Sequence, residues 1–178
     1  EQGHTLAQYN LGVMYEIGQG VLQDYKEAVK WFRLSAEQGH TLAQYNLGFM
    51  YYNGQGVLQD FKEAVKWFRL SAEQGDASAQ YNLGLMYAEG TGVPQDYVSA
   101  HMWFNLSALQ GNKDAVFNRD VQEKRMSPSQ IERAQQLARN WQPQSSTERI
   151  RVAESPPPTI TPQPPTPQLS TEVQEELD

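Results

Sequence analysis

Hydrophobic positions along this chain recur at helical spacing and are interrupted by short glycine clusters. Ala43, Leu47, Met50 and Tyr51 fall at i, i+4, i+7 and i+8, which places them on one face of a helix. Gly54 and Gly56 follow, and glycine takes up the left-handed conformation of a helix end more readily than any other residue. Asp60 then opens a second helix as its N-cap. Glu63, three residues on, completes a capping-box pattern that Asp24 and Glu27 repeat. Ala64, Trp67, Phe68 and Ala72 form the buried stripe of this second helix, Gly75 ends it, and Asp76 is placed to cap the next. No segment alternates as a strand does. The pattern predicts an all-α chain built from helix, glycine loop, helix and tight turn.

The unit repeats with a period of 36 residues. Gly3–Gln38 and Gly39–Gln74 differ only at Val13/Phe49, Glu16/Tyr52, Ile17/Asn53 and Tyr25/Phe61, and Gly75–Gln110 is a more diverged third copy. One helix pair cannot bury both of its stripes, so neighbouring pairs must stack into an α/α solenoid held by nearest-neighbour contacts. The expected organisation is a remnant of an upstream repeat at 1–2, repeats at 3–38, 39–74 and 75–110, a capping segment at 111–142 and a tail at 143–178. On this reading the first helix of the array lies upstream of Glu1. Gly12, Gly48 and Gly84 sit mid-helix, where glycine costs about 1 kcal/mol relative to alanine, and their recurrence predicts close approach of two helix backbones. Ser127-Pro128-Ser129-Gln130 supplies an N-cap, a first-turn proline and a third-position glutamine. Ile131, Ala134, Ala138 and Trp141 then recur at helical spacing, predicting a C-terminal capping helix.

Composition narrows the function. The formal net charge is −7, the sequence pI about 5.0 and the mean hydropathy −0.68. Affinity for nucleic acid rests on Lys and Arg neutralising phosphates, so an acidic chain without a basic block is not expected to bind it. The same balance disfavours anionic membrane surfaces, and no apolar run approaches the roughly 20 residues needed to span a bilayer. The absence of cysteine removes disulfides and thiolate metal sites and leaves the compartment open between exported and cytoplasmic.

Candidate catalytic and metal chemistry is sparse. His4 and His40 occupy equivalent repeat positions where the third copy has Asp76, a pattern that fits helix caps better than ligands. His101 stands alone on a second helix and is expected to be a packing or surface residue. There is no HExxH, paired cysteine or carboxylate cluster with ligand spacing. GQGVLQ at Gly18–Gln23 lacks the strand, third glycine and lysine of a phosphate loop. The Lys and Arg of KEAVKWFR alternate with Glu as on a solvated outer face. No metal or cofactor is expected, and no enzyme activity.

The motif AxxQYNLGxMYxxGxGVxxDxxEAVKWFxxSAEQG resembles the Sel-one-like repeat family, a relative of the tetratricopeptide repeats, over Gly3–Gln110. Asn112–Trp141 is similar to the closing segment of many bacterial members, with Arg119-Asp120 where the full repeats have Leu-Gly. The resemblance implies a right-handed superhelix with a concave face lined by the first helices, and a role as an adaptor that binds another protein. Some members have been discussed as penicillin-binding or β-lactamase-like. This chain has no SxxK, KTG or GxSxG, so no catalytic residue carries over. Cell-wall enzyme and purely structural spacer remain the alternatives.

The differences between copies show where packing does not dictate the residue. Positions 13/49, 16/52 and 17/53 lie at i, i+3 and i+4 on one face of the first helix, and the third copy varies there again with Leu85, Ala88 and Glu89. Tyr9, Tyr45 and Tyr81 extend the stripe by one turn. Aligned through YNLG, these positions match those lining the groove of tetratricopeptide proteins. The expected partner groove is therefore Tyr9, Val13, Glu16, Ile17, Tyr45, Phe49, Tyr52, Asn53, Tyr81, Leu85, Ala88 and Glu89. Its aromatic residues would be the anchors and its polar ones the selectivity. Residues 143–178 hold eight of the 10 prolines and no aromatic residue. Ser155–Pro167 reads as an extended, disordered polyproline segment and Glu172–Asp178 as an acidic end, either a spacer or a second ligand for a partner domain.

Overall fold

The computed structural model describes residues 2–144, and the polyproline and acidic segments expected beyond them lie outside the described residues. Eight α-helices follow one another, with no strand among the described residues: α1 (Gln2–Ile17), α2 (Tyr25–Glu37), α3 (Thr41–Asn53), α4 (Phe61–Glu73), α5 (Ala77–Glu89), α6 (Tyr97–Leu109), α7 (Lys113–Glu123) and α8 (Pro128–Asn140). Each helix through α7 packs against its sequence neighbours, as a stacked array requires. The last one departs from the rule: α8 lies on α6 rather than closing a pair with α7.

The predicted stripes form the core. Ala43, Leu47 and Met50 of α3 and Ala64, Trp67, Phe68 and Ala72 of α4 are buried, as are Ala79, Leu83, Met86, Ala100, Trp103 and Phe104 in the third repeat, where Ala108 is only partly buried. The mid-helix glycines differ from expectation in one respect: their neighbour is a ring and not a backbone. A Cβ on Gly48 would stand 2.8 Å from the Phe68 ring, and Gly12 and Gly84 face Phe32 and Phe104 in the same way. The phenylalanine of the second helix lies flat on the bare backbone of the first. Two backbones do meet closely, but in the loop. A Cβ on Gly56 would stand 2.2 Å from the Tyr25 carbonyl oxygen at the start of α2, so this loop seats one repeat on the one before it. Gly54, at φ 68°, gives α3 its left-handed C-cap.

The helix starts follow the sequence, with two corrections. Asp60 caps α4 by accepting from the amides of Lys62 and Glu63, but the reciprocal half of the capping box is absent. The Asp60 amide already donates to the Tyr51 carbonyl at 3.0 Å, which leaves Glu63 free to accept from the Trp67 indole at 3.1 Å. Asp24 is engaged in the same way by Tyr15. His40 caps α3, its Nδ1 accepting from the Ala43 amide at 3.2 Å. His4 instead lies within α1, which runs from Gln2. Ser127 and Gln130 complete a full capping box at α8.

A polar ladder that the apolar pattern does not reveal ties the repeats together. The Ser35, Ser71 and Ser107 hydroxyls donate to the carbonyls of Thr5, Thr41 and Ala77. The buried Gln44 and Gln80 amides donate to Ala36 and Ala72, and each in turn accepts from the next glutamine, Gln74 or Gln110. Buried polar groups persist only when paired; the serine and glutamine–glutamine bonds join the two helices of one repeat, and the Gln44 and Gln80 amides cross to the repeat before.

Candidate functional site

The first helices α1, α3 and α5 carry the predicted stripe. Phe49 and Tyr52 from α3 and Leu85 and Glu89 from α5 converge on a recess of about 170 Å³, floored by Phe68 and Met86 and flanked by Asn82. Phe49 is 41% exposed, unusual for a phenylalanine whose neighbour Tyr45 lies beside it at 6.5 Å between ring centroids. Tyr52 is held edge-on against Phe61, at 5.4 Å. The wall is thus aromatic and fixed, with a single carboxylate, Glu89, at its rim.

The rest of the stripe distributes unevenly. Tyr9, Tyr45 and Tyr81 are half-buried, each leaning on the phenylalanine of its own repeat at 5.8–5.9 Å. Their hydroxyls meet an asparagine of the following first helix: Tyr9 meets Asn46, Tyr45 meets Asn82, and Tyr81 accepts from Asn118 at 3.3 Å. Burial raises all three phenols above the ordinary value of 10.0, helped at Tyr9 by the nearby Glu16 charge. Burial also raises Glu16 itself. Val13 packs on the core between α2 and α3, whereas Ile17 is 57% exposed. Asn53 is exposed and donates back to the Phe49 carbonyl at 3.0 Å. Ala88 is buried against Ala100, Phe104 and Ala115, so the stripe is interrupted there. A residue this small, next to α6, is drawn into the core and presents no surface. Sequence comparison between copies missed Asn82, Phe68 and Met86 because they do not vary. The recess is made of invariant floor as well as variable wall.

Among the described residues no group of His, Cys, Asp or Glu could hold a metal ion. No helix there is long and apolar enough to cross a membrane.

Helix pairs of fixed length stacked through a glycine loop define an α/α solenoid repeat protein. The Sel1 repeat model matches residues 5–40, 41–76 and 77–112, and the chain belongs to the Sel1 repeat family. Members are in general protein–protein interaction scaffolds. A Sel1 repeat protein from Oxalobacter formigenes is 36% identical, with a TM-score of 0.65 over 67% of this chain and 49% of its own. The c5321 protective antigen of uropathogenic Escherichia coli, an SLR fold, is 35% identical with a TM-score of 0.73 over 92% of this chain and 36% of its own. This chain therefore spans less than half the length of either. Helicobacter pylori cysteine rich protein B, 20% identical with a TM-score of 0.54 over 65% of this chain and 88% of its own, shares the fold. No curated protein matches the chain.

Proposed function

We propose that this chain is a protein-binding module whose first-helix face, centred on Phe49, Tyr52, Leu85 and Glu89, holds a peptide or helix of a partner. The observation that carries the reading is the coincidence of two independent features at one place. Three of the four differences between the first two copies fall on this face, and the second and third copies there enclose an aromatic recess. Drift on an idle surface rarely installs Phe and Tyr for Val and Glu, because exposed aromatic area carries a solubility cost unless it is covered. A partner would seat an apolar side chain between Phe49 and Leu85, with Glu89 selecting a cationic or hydrogen-bond-donating neighbour. The segment 111–142, which carries α7 and α8, serves on this reading as the C-terminal cap of the array.

The test is affinity purification from the native cell with the wild-type chain and with Phe49→Ala/Tyr52→Ala. Loss of partner recovery with an unchanged helical circular-dichroism signal supports the groove. Equal recovery by the double variant rejects it.

A further inference from the structure

Where α8 lies on α6, a second cavity opens among α6, α7 and α8. It has a volume of about 350 Å³ and is lined by His101 and Asn105 of α6, Arg119 and Glu123 of α7, and Gln135 and Arg139 of α8. Each helix contributes two residues spaced four apart, so each turns one polar face to the same space. No apolar side chain is among the six.

The repeats supply a control for this lining. Thirty-six residues upstream of His101 stand Val65 and Val29, both buried at 5%. Upstream of Arg119 stand Leu83 and Leu47, both at 0%. Upstream of Glu123 stand Tyr87 and Tyr51, which accept hydrogen bonds from Arg69 and Arg33. The positions that make a packed interior elsewhere in the array are ionisable here. A solubilising cap would put charge on the outer face of α7 and α8, where Lys113, Asp120, Glu132 and Arg133 already lie exposed. It would not need charge on the inner one.

The groups are also arranged to leave binding capacity. Arg119 is positioned by Asp120, which accepts from its Nε at 3.0 Å and its Nη2 at 2.8 Å, and by Asn105, which accepts from its Nη1 at 3.4 Å. Of its five N–H groups, three are engaged and two remain. Arg139 has no ion pair with any described residue. Glu123 accepts from the His101 Nε2 at 2.8 Å through one oxygen, and its other oxygen has no partner among the described residues. His101 is 1% exposed and its Nδ1 has no hydrogen-bond partner, so the ring is fixed in the wall of the cavity by that single bond. Guanidinium groups match planar carboxylates by two-point hydrogen bonding. A free carboxylate oxygen beside them calls for a cation or a donor.

We propose that this cavity binds a small zwitterion of the α-amino acid type, its carboxylate held by Arg139 and Arg119 and its ammonium by Glu123. The volume suits such a ligand together with a side chain. A phosphate dianion fits less well, because the Glu123 carboxylate opposes a second negative charge. The site is separate from the first-helix recess, and its test does not depend on the partner reading.

The experiment follows the arginine Nε resonances of the full chain by NMR during titration with L-glutamate, with glutarate (the same skeleton without the amino group), with inorganic phosphate, and with sodium chloride at matched ionic strength. Saturable shifts are expected with L-glutamate. Glutarate should bind about tenfold more weakly, the loss that follows one missing charge-assisted hydrogen bond. Phosphate and chloride should give only linear drift. Arg139→Gln should abolish saturation. Arg119→Leu, which restores the residue of the regular repeats, should abolish it while the thermal melt stays cooperative. Glu123→Gln should erase the preference for L-glutamate over glutarate. Absence of saturation, saturation that survives both arginine variants, or equal saturation by phosphate would each overturn the proposal. Should Arg119→Leu fail to fold, the exposed Arg139→Gln decides alone.

Discussion

His40 is a histidine where the next repeat has aspartate, and that exchange makes one helix start titratable. Its Nδ1 accepts from the Ala43 amide, which only the neutral ring can do, and Tyr9 stacks on it at 4.7 Å. Burial lowers its folded-state value below the ordinary 6.5. In the window between the two values the unfolded chain binds more protons, so stability is present above 6.5 and is lost as the pH falls through the lowered folded value. His40→Asn keeps a capping oxygen without titrating. Thermal melts at about pH 8 and about pH 5, which bracket an ordinary histidine, should show a smaller acid-induced drop for this variant than for the wild type. An identical drop would remove His40 from the account. The caps at Asp24, Asp60 and Asp76 were legible in the sequence because side-chain acceptors before a helical run have a local cause. The mid-helix glycines were legible only in part. Their recurrence announced a close contact, but that the contact is the face of Phe32, Phe68 or Phe104 depends on tertiary packing.

At the scale of the element, the loop between two helices of a repeat fixes more than a change of direction. Gly56 combines a positive φ of 72° with the Tyr25 carbonyl where a Cβ would be, whereas Gly20, at φ 76°, faces only the flexible end of Met14 at 3.3 Å. Gly56→Ala should therefore cost at least about 2–3 kcal/mol, from the left-handed backbone and the clash with a neighbouring main chain. Gly20→Ala should cost only about 1–2 kcal/mol, the backbone term. Denaturant unfolding of the two variants measures the difference, and equal losses would mean that the loop does not seat the repeats. The same scale explains why the capping-box spacing forms only half of its bonds. Glu63 has the correct spacing from Asp60, yet the Asp60 amide is taken by a carbonyl nine residues back, and no local pattern reports that competition.

Across the described residues, the extensive helix–helix contacts join sequence neighbours, apart from α8 reaching back to α6. The strap after α8 reinforces this end: Trp141 meets Trp103 at 6.3 Å and the Gln144 amide donates to the Glu73 carbonyl at 2.8 Å. Stability should accordingly be graded along the array. Native-state hydrogen exchange should find the slowest amides in α3–α6, flanked on both sides, and faster ones in α1. Uniform protection from α1 to α8 would contradict nearest-neighbour stacking. The solenoid was readable from period and stripe alone, since both arise from residues adjacent in sequence. The cavity at the end of the array was not, because it depends on α8 choosing α6 over α7.

The glutamine ladder has a consequence for inheritance. Gln44 and Gln80 each donate to an alanine carbonyl near the end of the preceding second helix, Ala36 or Ala72, so successive junctions present the same donor to the same acceptor. A gene segment encoding one unit can then be copied or deleted in frame by recombination between near-identical stretches, and the new neighbours meet with interlocking surfaces already in place. Array length is cheap to change, whereas α7, with Val116 where α3 and α5 carry Gln44 and Gln80, offers no such junction. Variation in reach is open to such a gene at every generation.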